Sequence, residues 1–437
     1  MHTTIMIAMA ALLLPTLAQA ADASDCHIGA YRLADGGAVT IDLSTDNSLR
    51  WHRLDGTTGA LHPGADGMWS STLGWTGRPD GKNLSFPDCV TGDMVFDKMP
   101  GHRIAFDTAD TTFDGEGVKL AGRLVLPKSQ GPVPIVVLVH GSENYSGRDY
   151  YMLQRLLPSE GVGVFVYDKR GTGRSTGKYT QDFSPLADDA VAAVAEARRI
   201  AGSRAGRIGF QGGSQGGYVA PLAATRTKVD FVIVGFGLAV SPIEEDREEI
   251  VLEMKLKHHS DAEIAKALQV ADAAATIVTS GFTRGFDRFD ALRAKYRSEP
   301  WYEDLHGNFT VDLLPYDAAE LHARSAEFLV GTPMNYDAMP VLHRLNTPQL
   351  WELGADDLAA PSAETARRLK GLGAMGRPIT VAMFPRAQHG IYEFETKPDG
   401  TRVLTRNAEG YFAMMRDFAR DGRLHGTYGA AVVTAAR

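Results

Sequence analysis

The chain has 437 residues, of which 44% are hydrophobic, and its 45 basic and 53 acidic residues give a formal net charge of −8. This length and apolar content provide for a large buried core and predict two or three domains. Charges of both signs are interspersed, and the acidic balance disfavours a nucleic-acid partner, which would require a basic face.

The first twenty residues have the composition of an export signal. Residues 5–17 are almost entirely apolar, a run too short to cross a bilayer comfortably, and Ala18-Gln19-Ala20 follows as the small-x-small pattern that signal peptidase cleaves. We predict a cleaved signal peptide over residues 1–20 and a periplasmic or secreted protein, with a retained anchor as the alternative. No later segment has the length and apolarity of a stable membrane span.

Residues 21–106 predict a small β-rich N-terminal domain, because short alternating segments are separated by turn signals such as DGG and PDG. Its tryptophans, Trp51, Trp69 and Trp75, fit either the core of such a domain or a sugar-stacking platform. The second interpretation would give this domain a contact with glycan or with the cell envelope.

Cys26 and Cys89 are the two cysteines of the chain, and both lie in this domain. In an oxidising compartment such a pair predicts a disulfide, which would stabilise the domain by about 3–4 kcal/mol in the chain-entropy model. Two free buried thiols are the alternative.

Strands and helices alternate over residues 107–240. The first strand is a continuous apolar, β-branched run typical of burial on both faces, the second is a further buried strand, and helical segments separate the four predicted strands. The strands are PIVVLV (134–139), GVFVYD (163–168), RIGFQG (207–212) and VDFVIVGFG (229–237). This rhythm predicts βαβ units and a mostly parallel sheet flanked by helices.

Residues 241–340 interrupt the rhythm with charged helical segments, and we predict that they form a helical cap inserted into the α/β core. Ser260 and Glu263 form a capping box for one of these helices. The aromatic residues of the cap either line a substrate pocket, with Trp301 and Tyr302 as candidate substrate-binding residues, or form the cap's own core. The alternation resumes over residues 341–437 with strands QLWEL (349–353) and ITVAMF (379–384) and a last helix.

Ser214 is the candidate nucleophile. It is the serine of Gly212-x-Ser214-x-Gly216, which follows a predicted strand and precedes a predicted helix. That context, rather than the short pattern itself, is typical of a nucleophile elbow, where small residues let the helix pass close to the strand.

An acid and a histidine follow in the order Ser…Asp…His, each after a later strand. GADDLAAP (354–361) follows one strand and offers Asp356 and Asp357, and His389 follows the next. The carboxyl ends of parallel strands meet at one edge of a sheet, where open α/β proteins place their ligands.

Together these segments resemble the α/β-hydrolase superfamily, most of all its dienelactone-hydrolase and prolyl-oligopeptidase-like branch of esterases and peptidases. The resemblance covers about residues 108–437 and rests on LVHGS (138–142), YDKRGTGRSTG (167–177), GFQGGSQGG (209–217), GADDLAAP (354–361) and AQHG (387–390). It implies an α/β-hydrolase fold with an inserted helical cap and a small N-terminal β-rich domain.

The resemblance also implies roles for single residues. In similar proteins the acid stands three residues after the glycine and four before the proline, which selects Asp357 over Asp356. The oxyanion hole falls on the backbone N–H groups of Gln215 and the Ser142 region. The chain departs from many relatives in reading HGSEN for HGSGP, which places Glu143 beside the oxyanion loop as a candidate substrate-binding carboxylate.

We therefore predict an exported serine hydrolase that cleaves carboxylic esters through Ser214, His389 and Asp357 and an acyl-enzyme, with no cofactor and no metal. A serine aminopeptidase or oligopeptidase acting on short peptides is the alternative within the same chemistry. A catalytically silent binding protein on a hydrolase fold is the alternative from another class.

Overall fold

The computed structural model describes residues 26–88 and 91–435. The predicted signal peptide and Cys89 lie outside the described residues, so export and the disulfide between Cys26 and Cys89 remain predictions.

The N-terminal region is a closed barrel of eight antiparallel strands. Strand β8 closes the barrel on β1, with Tyr31 opposite Arg103. The strands are β1 (Gly29–Leu33), β2 (Ala38–Leu43), β3 (Leu49–Arg53), β4 (Thr58–Pro63), β5 (Met68–Leu73), β6 (Pro79–Ser85), β7 (Asp93–Phe96) and β8 (Met99–Arg103). Trp51 is 1% exposed in the barrel interior, where its ring packs edge-on against Phe96, so for this residue the core interpretation is confirmed.

A nine-stranded sheet follows, with the strand order β20-β16-β15-β14-β13-β11-β12-β10-β9. The pairs from β12 through β16 are parallel, whereas β9, β10 and β20 pair antiparallel to their neighbours at the two edges. The strands are β9 (Phe106–Gly115), β10 (Val118–Pro127), β11 (Val133–Val139), β12 (Gly163–Tyr167), β13 (Ala205–Gly213), β14 (Phe231–Gly235), β15 (Gln349–Gly354), β16 (Ile379–Phe384) and β20 (Val432–Ala435).

Helices cover both faces of this sheet, which is why its central strands are apolar throughout. Val136 and Val137 are neighbours in β11 and belong to the cores on opposite faces. The helices of this layer structure are α1 (Gly147–Tyr150), α2 (Leu153–Ser159), α3 (Phe183–Ala201), α4 (Gly216–Ala224), α10 (Met339–Arg344), α11 (Ser362–Ala374) and α12 (Tyr411–Asp421).

The cap lies between β14 and β15 and has a hydrophobic core of its own. Its helices are α5 (Pro242–Leu256), α6 (Asp261–Thr279), α7 (Phe286–Tyr296), α8 (Thr310–Leu313) and α9 (Ala318–Phe328). The predicted capping box is confirmed, because the Ser260 side chain accepts from the Glu263 N–H and the Glu263 carboxylate accepts from the Ser260 N–H. No helix among the described residues is long and apolar enough to traverse a bilayer.

Three short strands after β16 join the α/β core to the barrel. They are β17 (Ala387–Gln388), β18 (Tyr392–Thr396) and β19 (Arg402–Asn407). The N–H of Trp75 in the barrel donates to the Leu404 carbonyl at 2.9 Å, and the N–H of Asn407 donates to the Gly56 carbonyl at 3.0 Å. The barrel is therefore docked by backbone hydrogen bonds onto the hairpin that follows His389.

Candidate active site

Ser214 occupies a strained turn between β13 and α4. Its φ is 52°, in the left-handed region that costs an ordinary residue about 1–2 kcal/mol. A Cβ on Gly212 would lie 2.6 Å from the carbonyl carbon of Gly216, and a Cβ on Gly216 would lie 2.9 Å from the Val139 carbonyl oxygen. The glycines of the motif are thus required where the helix crosses the strand ends, and they leave the serine projecting at the carboxyl edge of the sheet.

Asp357 and His389 form a hydrogen-bonded pair at the same edge. Asp357 is 1% exposed, and its Oδ2 lies 3.0 Å from His389 Nδ1 while its Oδ1 accepts from the Ala360 N–H at 2.9 Å. The side chain of Asp356 is half-buried, and its N–H donates to the Ala387 carbonyl at 3.0 Å. The structure therefore places Asp357, the residue selected by the motif spacing, and not Asp356, against the histidine.

Ser214 and His389 line one cavity of about 470 Å³, which we call the barrel-side cavity. The ring of Phe236 packs edge-on against His389 with the centroids 4.8 Å apart. Seven of the twenty wall residues are tyrosine or phenylalanine, and one wall residue, His52, comes from the barrel. The structure thus gathers the predicted serine, histidine and aspartate, with the aspartate buried behind the histidine.

A second cavity of about 360 Å³ lies under the cap, and we call it the cap-side cavity. Ser214, Ser142 and Gln215 line it at the sheet edge, which places both predicted oxyanion-hole residues beside the serine. Gln215 immediately precedes α4, so its N–H lies at the positive end of that helix. The two cavities meet at Ser214 and Ser142.

Glu143 lies in the wall of the barrel-side cavity and is held by neighbouring side chains. One carboxylate oxygen accepts from His140 Nδ1 at 2.9 Å and from the Tyr151 hydroxyl. Burial opposes ionisation of Glu143, but hydrogen bonding and charge from His140, with the charge of Lys169, lower its pKa to about 2. The cavity therefore contains a fixed negative charge at neutral pH.

Two carboxyl groups of the cap, in contrast to Glu143, have raised pKa values. Burial, together with the charges of Glu249 and Asp357, raises the pKa of Glu245 in the cap-side cavity well above its usual value. Burial likewise raises the pKa of Glu249 to about 8. Glu244 is already engaged, because its carboxylate lies 2.6 Å from Arg368 Nη2 and caps α5.

The candidate substrate-binding aromatics of the cap lie away from both cavities. Trp301 is fully buried in the hydrophobic core of the cap, and Tyr302 packs against that core. The substrate-binding prediction is therefore wrong for this pair, because their rings pack inside the cap and line neither cavity. Other cap aromatics line the cap-side cavity instead: Phe282, Phe309 and Phe328.

Sequence reasoning also missed the contribution of the barrel and the hairpin. His52, Tyr392 and Asn407 line the barrel-side cavity, and they come from β3, β18 and β19. The alternation around KPDGT (397–401) is a hairpin signal that could have located the last two. In the part of the chain that the structure describes, no group of three or more His, Cys, Asp or Glu is placed to hold a metal ion.

Comparisons with known proteins agree with this architecture. Residues 130–302 match the model of the serine aminopeptidase family S33. The thiohydrolase aneE of Aspergillus aculeatus is 28% identical over 224 residues, which are 48% of this chain and 69% of that protein.

Among solved structures, an esterase of Pyrococcus furiosus is similar with a TM-score of 0.40 and 17% identity over 65% of this chain and 84% of its own. The acylaminoacyl peptidase of Pyrococcus horikoshii is similar with a TM-score of 0.45 and 14% identity over 91% of this chain and 57% of its own.

The doubly covered sheet, the serine on its strand-to-helix turn and the matching family model define the class: the chain is a serine hydrolase with the α/β-hydrolase fold, as predicted. Within that class it is an esterase or a peptidase.

Proposed function

We propose that this protein is an exported serine esterase that cleaves carboxylic esters through Ser214, His389 and Asp357. The observation that carries the proposal is the placement of Ser214 and His389 on one cavity, with the buried Asp357 carboxylate 3.0 Å from the far nitrogen of the imidazole. The predicted signal over residues 1–20 supports export.

In this mechanism His389 takes the hydroxyl proton of Ser214 as the oxygen attacks the ester carbonyl, and then gives that proton to the departing alcohol. Asp357 holds the imidazole in one tautomer and stabilises the imidazolium. The N–H groups of Gln215 and Ser142 stabilise the negative oxygen of the tetrahedral intermediate, each by about 2.7–4 kcal/mol. Water, deprotonated by His389, then releases the acid from the acyl-enzyme.

A peptidase is the second candidate, and the carboxyl lining of the cap-side cavity favours it. Glu245, Asp312 and Glu327 line this cavity and could bind a substrate ammonium group. Burial raises the pKa of both Glu245 and Asp312, which disfavours the carboxylate form that an ammonium group would bind. We rank the ester first because ester cleavage needs no such anchor.

Fluorophosphonate labelling tests the nucleophile. We expect the wild type to be labelled at Ser214, Ser214→Ala to be unlabelled, and Ser203→Ala, a variant of an exposed serine outside both cavities, to be labelled like the wild type. Equal labelling of Ser214→Ala would refute the assignment, and no labelling of the wild type would favour the catalytically silent alternative.

A substrate series then separates the chemistries. p-Nitrophenyl esters, aminoacyl anilides and, because a thiohydrolase is among the relatives, acyl thioesters are compared on the same preparation. Activity confined to the anilides would replace the esterase by the peptidase. Amino-terminal sequencing of the protein from fractionated cells tests export, for which we expect a mature chain starting after Ala20.

A further inference from the structure

The barrel supplies part of the active-site wall. In β3, Trp51 points into the barrel core, so the alternating side chains Arg50 and His52 point outwards. That outer face is covered by the α/β core, and His52 lines the barrel-side cavity together with Ser214 and His389. A side chain from the first hundred residues thus reaches a cavity whose other lining residues fall between Val139 and Phe412.

His52 has unused hydrogen-bonding capacity. It is 8% exposed, and among the described residues its buried Nδ1 has no hydrogen-bond partner. Burial, and to a lesser extent the charge of Arg50, lowers its pKa to about 3, so the ring is neutral and presents one donor and one acceptor. A buried polar atom without a partner is unfavourable, so the hydrogen bonding of His52 is incomplete at a residue that lines the cavity.

The barrel-side cavity is the one that suits the leaving group. His389 must reach the departing oxygen to protonate it, and His389 lines this cavity. The cap-side cavity is lined by Gln215 and Ser142 at the oxyanion side and does not include His389 in its lining, so it suits the acyl group. His52 therefore lies on the leaving-group side of the scissile bond.

The wall chemistry defines the kind of leaving group. Rings of Tyr145, Phe236, Tyr392 and Phe412 surround the cavity and suit a flat apolar body. The ionised Glu143 in the same wall disfavours an anionic group. The neutral His52 offers a hydrogen bond without a charge.

We propose that the barrel builds the leaving-group subsite of this enzyme, and that His52 selects esters of an uncharged aromatic alcohol with a second hydrogen-bonding substituent. This inference rests on the proposed function, because it requires the scissile bond to lie between Ser214 and His389. His52 acts here as a specificity-determining residue that touches the alcohol and takes no part in proton transfer.

The test compares esters with one acyl group and different alcohols: phenyl acetate with 3-hydroxyphenyl and 4-hydroxyphenyl acetate. For the wild type we expect kcat/KM to be about tenfold higher on the better hydroxyphenyl ester than on phenyl acetate, the size of one net hydrogen bond. His52→Phe keeps a ring without a hydrogen-bonding atom, and we expect it to abolish this preference. His52→Gln keeps a donor and an acceptor and should retain part of it.

Thr40→Val is the matched control. Thr40 lies opposite His52 in the neighbouring strand and is buried in the same outer face, but it is not in the cavity lining. We expect it to keep the wild-type preference even where it lowers stability.

A wild type with no preference, or a His52→Phe variant that loses activity in equal proportion on all three esters, would overturn the inference. A different result would refute the proposed function itself, namely the absence of fluorophosphonate labelling at Ser214 in the wild type.

Discussion

Replacing Gly56 by alanine tests whether docking of the barrel positions His389. Gly56 has a φ of 89°, and a Cβ there would lie 2.9 Å from the carbonyl carbon of Asn407 and closer still to its oxygen. Ordinary contacts begin near 3.4 Å. The two backbones must therefore separate by about 1 Å, a displacement that costs about 100-fold in rate when it misplaces a catalytic group.

Two hydrogen bonds of Asn407 connect Gly56 to the residue that follows His389. The Asn407 N–H donates to Gly56, and the Asn407 side-chain amide donates to the carbonyl of Gly390 at 3.0 Å, directly beside His389. Gly36→Ala is the matched control, because Gly36 has a φ of 84° in another barrel turn and nothing lies within 4 Å of an added Cβ. Both variants carry the left-handed backbone penalty of about 1–2 kcal/mol, but only Gly56→Ala disturbs the hairpin.

We expect denaturant unfolding to show a loss of about 1–2 kcal/mol for Gly36→Ala and about 1 kcal/mol more for Gly56→Ala, which also strains a backbone hydrogen bond. Under conditions where both variants are folded, kcat/KM on an ester should be within twofold of the wild type for Gly36→Ala and 10- to 100-fold lower for Gly56→Ala. Equal kcat/KM values for the two variants would refute the idea that the barrel positions His389.

Three further changes give distinct outcomes. Asp357→Asn should lower kcat by about 10⁴-fold because it leaves the histidine in the wrong tautomer, whereas Asp356→Asn, whose carboxylate is not the one paired with His389, should stay within twofold. Glu249→Gln should be more stable than the wild type at pH 8 by about 4 kcal/mol and equally stable at pH 4, as measured by urea unfolding. The sign follows because burial raises the folded pKa of Glu249 to about 8, so its contribution to stability is present below the unfolded pKa and is lost as the pH rises through 8. Gly212→Ala should abolish fluorophosphonate labelling, because its Cβ would lie 2.6 Å from the carbonyl carbon of Gly216 and would displace the turn.

The strands that build the catalytic edge could be predicted because burial on both faces leaves a local signature. PIVVLV (134–139) is a continuous apolar run and ITVAMF (379–384) is apolar except for Thr380, and the structure has β11 over Val133–Val139 and β16 over Ile379–Phe384. The choice between Asp356 and Asp357 came from spacing to a glycine and a proline, and the structure shows the reason for such spacing. Of these two adjacent residues, Asp357 points inwards, where its two carboxylate oxygens bind the Ala360 N–H and His389.

The cap could be predicted as helical, but the direction in which its aromatics point could not. Trp301 and Phe282 both lie in an aromatic-rich stretch, yet Trp301 is enclosed by cap helices and Phe282 reaches the cap-side cavity. The composition of a segment predicts that its aromatic rings will be buried, but it does not predict which residues will cover them. The contact between His52 and the cavity was hidden for a related reason, since every other lining residue lies more than 80 positions away in the chain.

The outer face of the barrel argues against an independent binding module. An independent module would present a solvated outer face, whereas Asp42 and Arg50 are buried on this one, at 2% and 7% exposure. Asp42 pairs with Arg155 of α2 at 2.7 Å, and Arg50 lies over the ring of Trp75 at 4.0 Å, beside the hairpin. Removal of the barrel would leave Arg155 without this partner and would open the leaving-group side of the cavity to water. The barrel and the cap therefore line two cavities that meet at Ser214, and we expect both to contribute to the specificity of the enzyme.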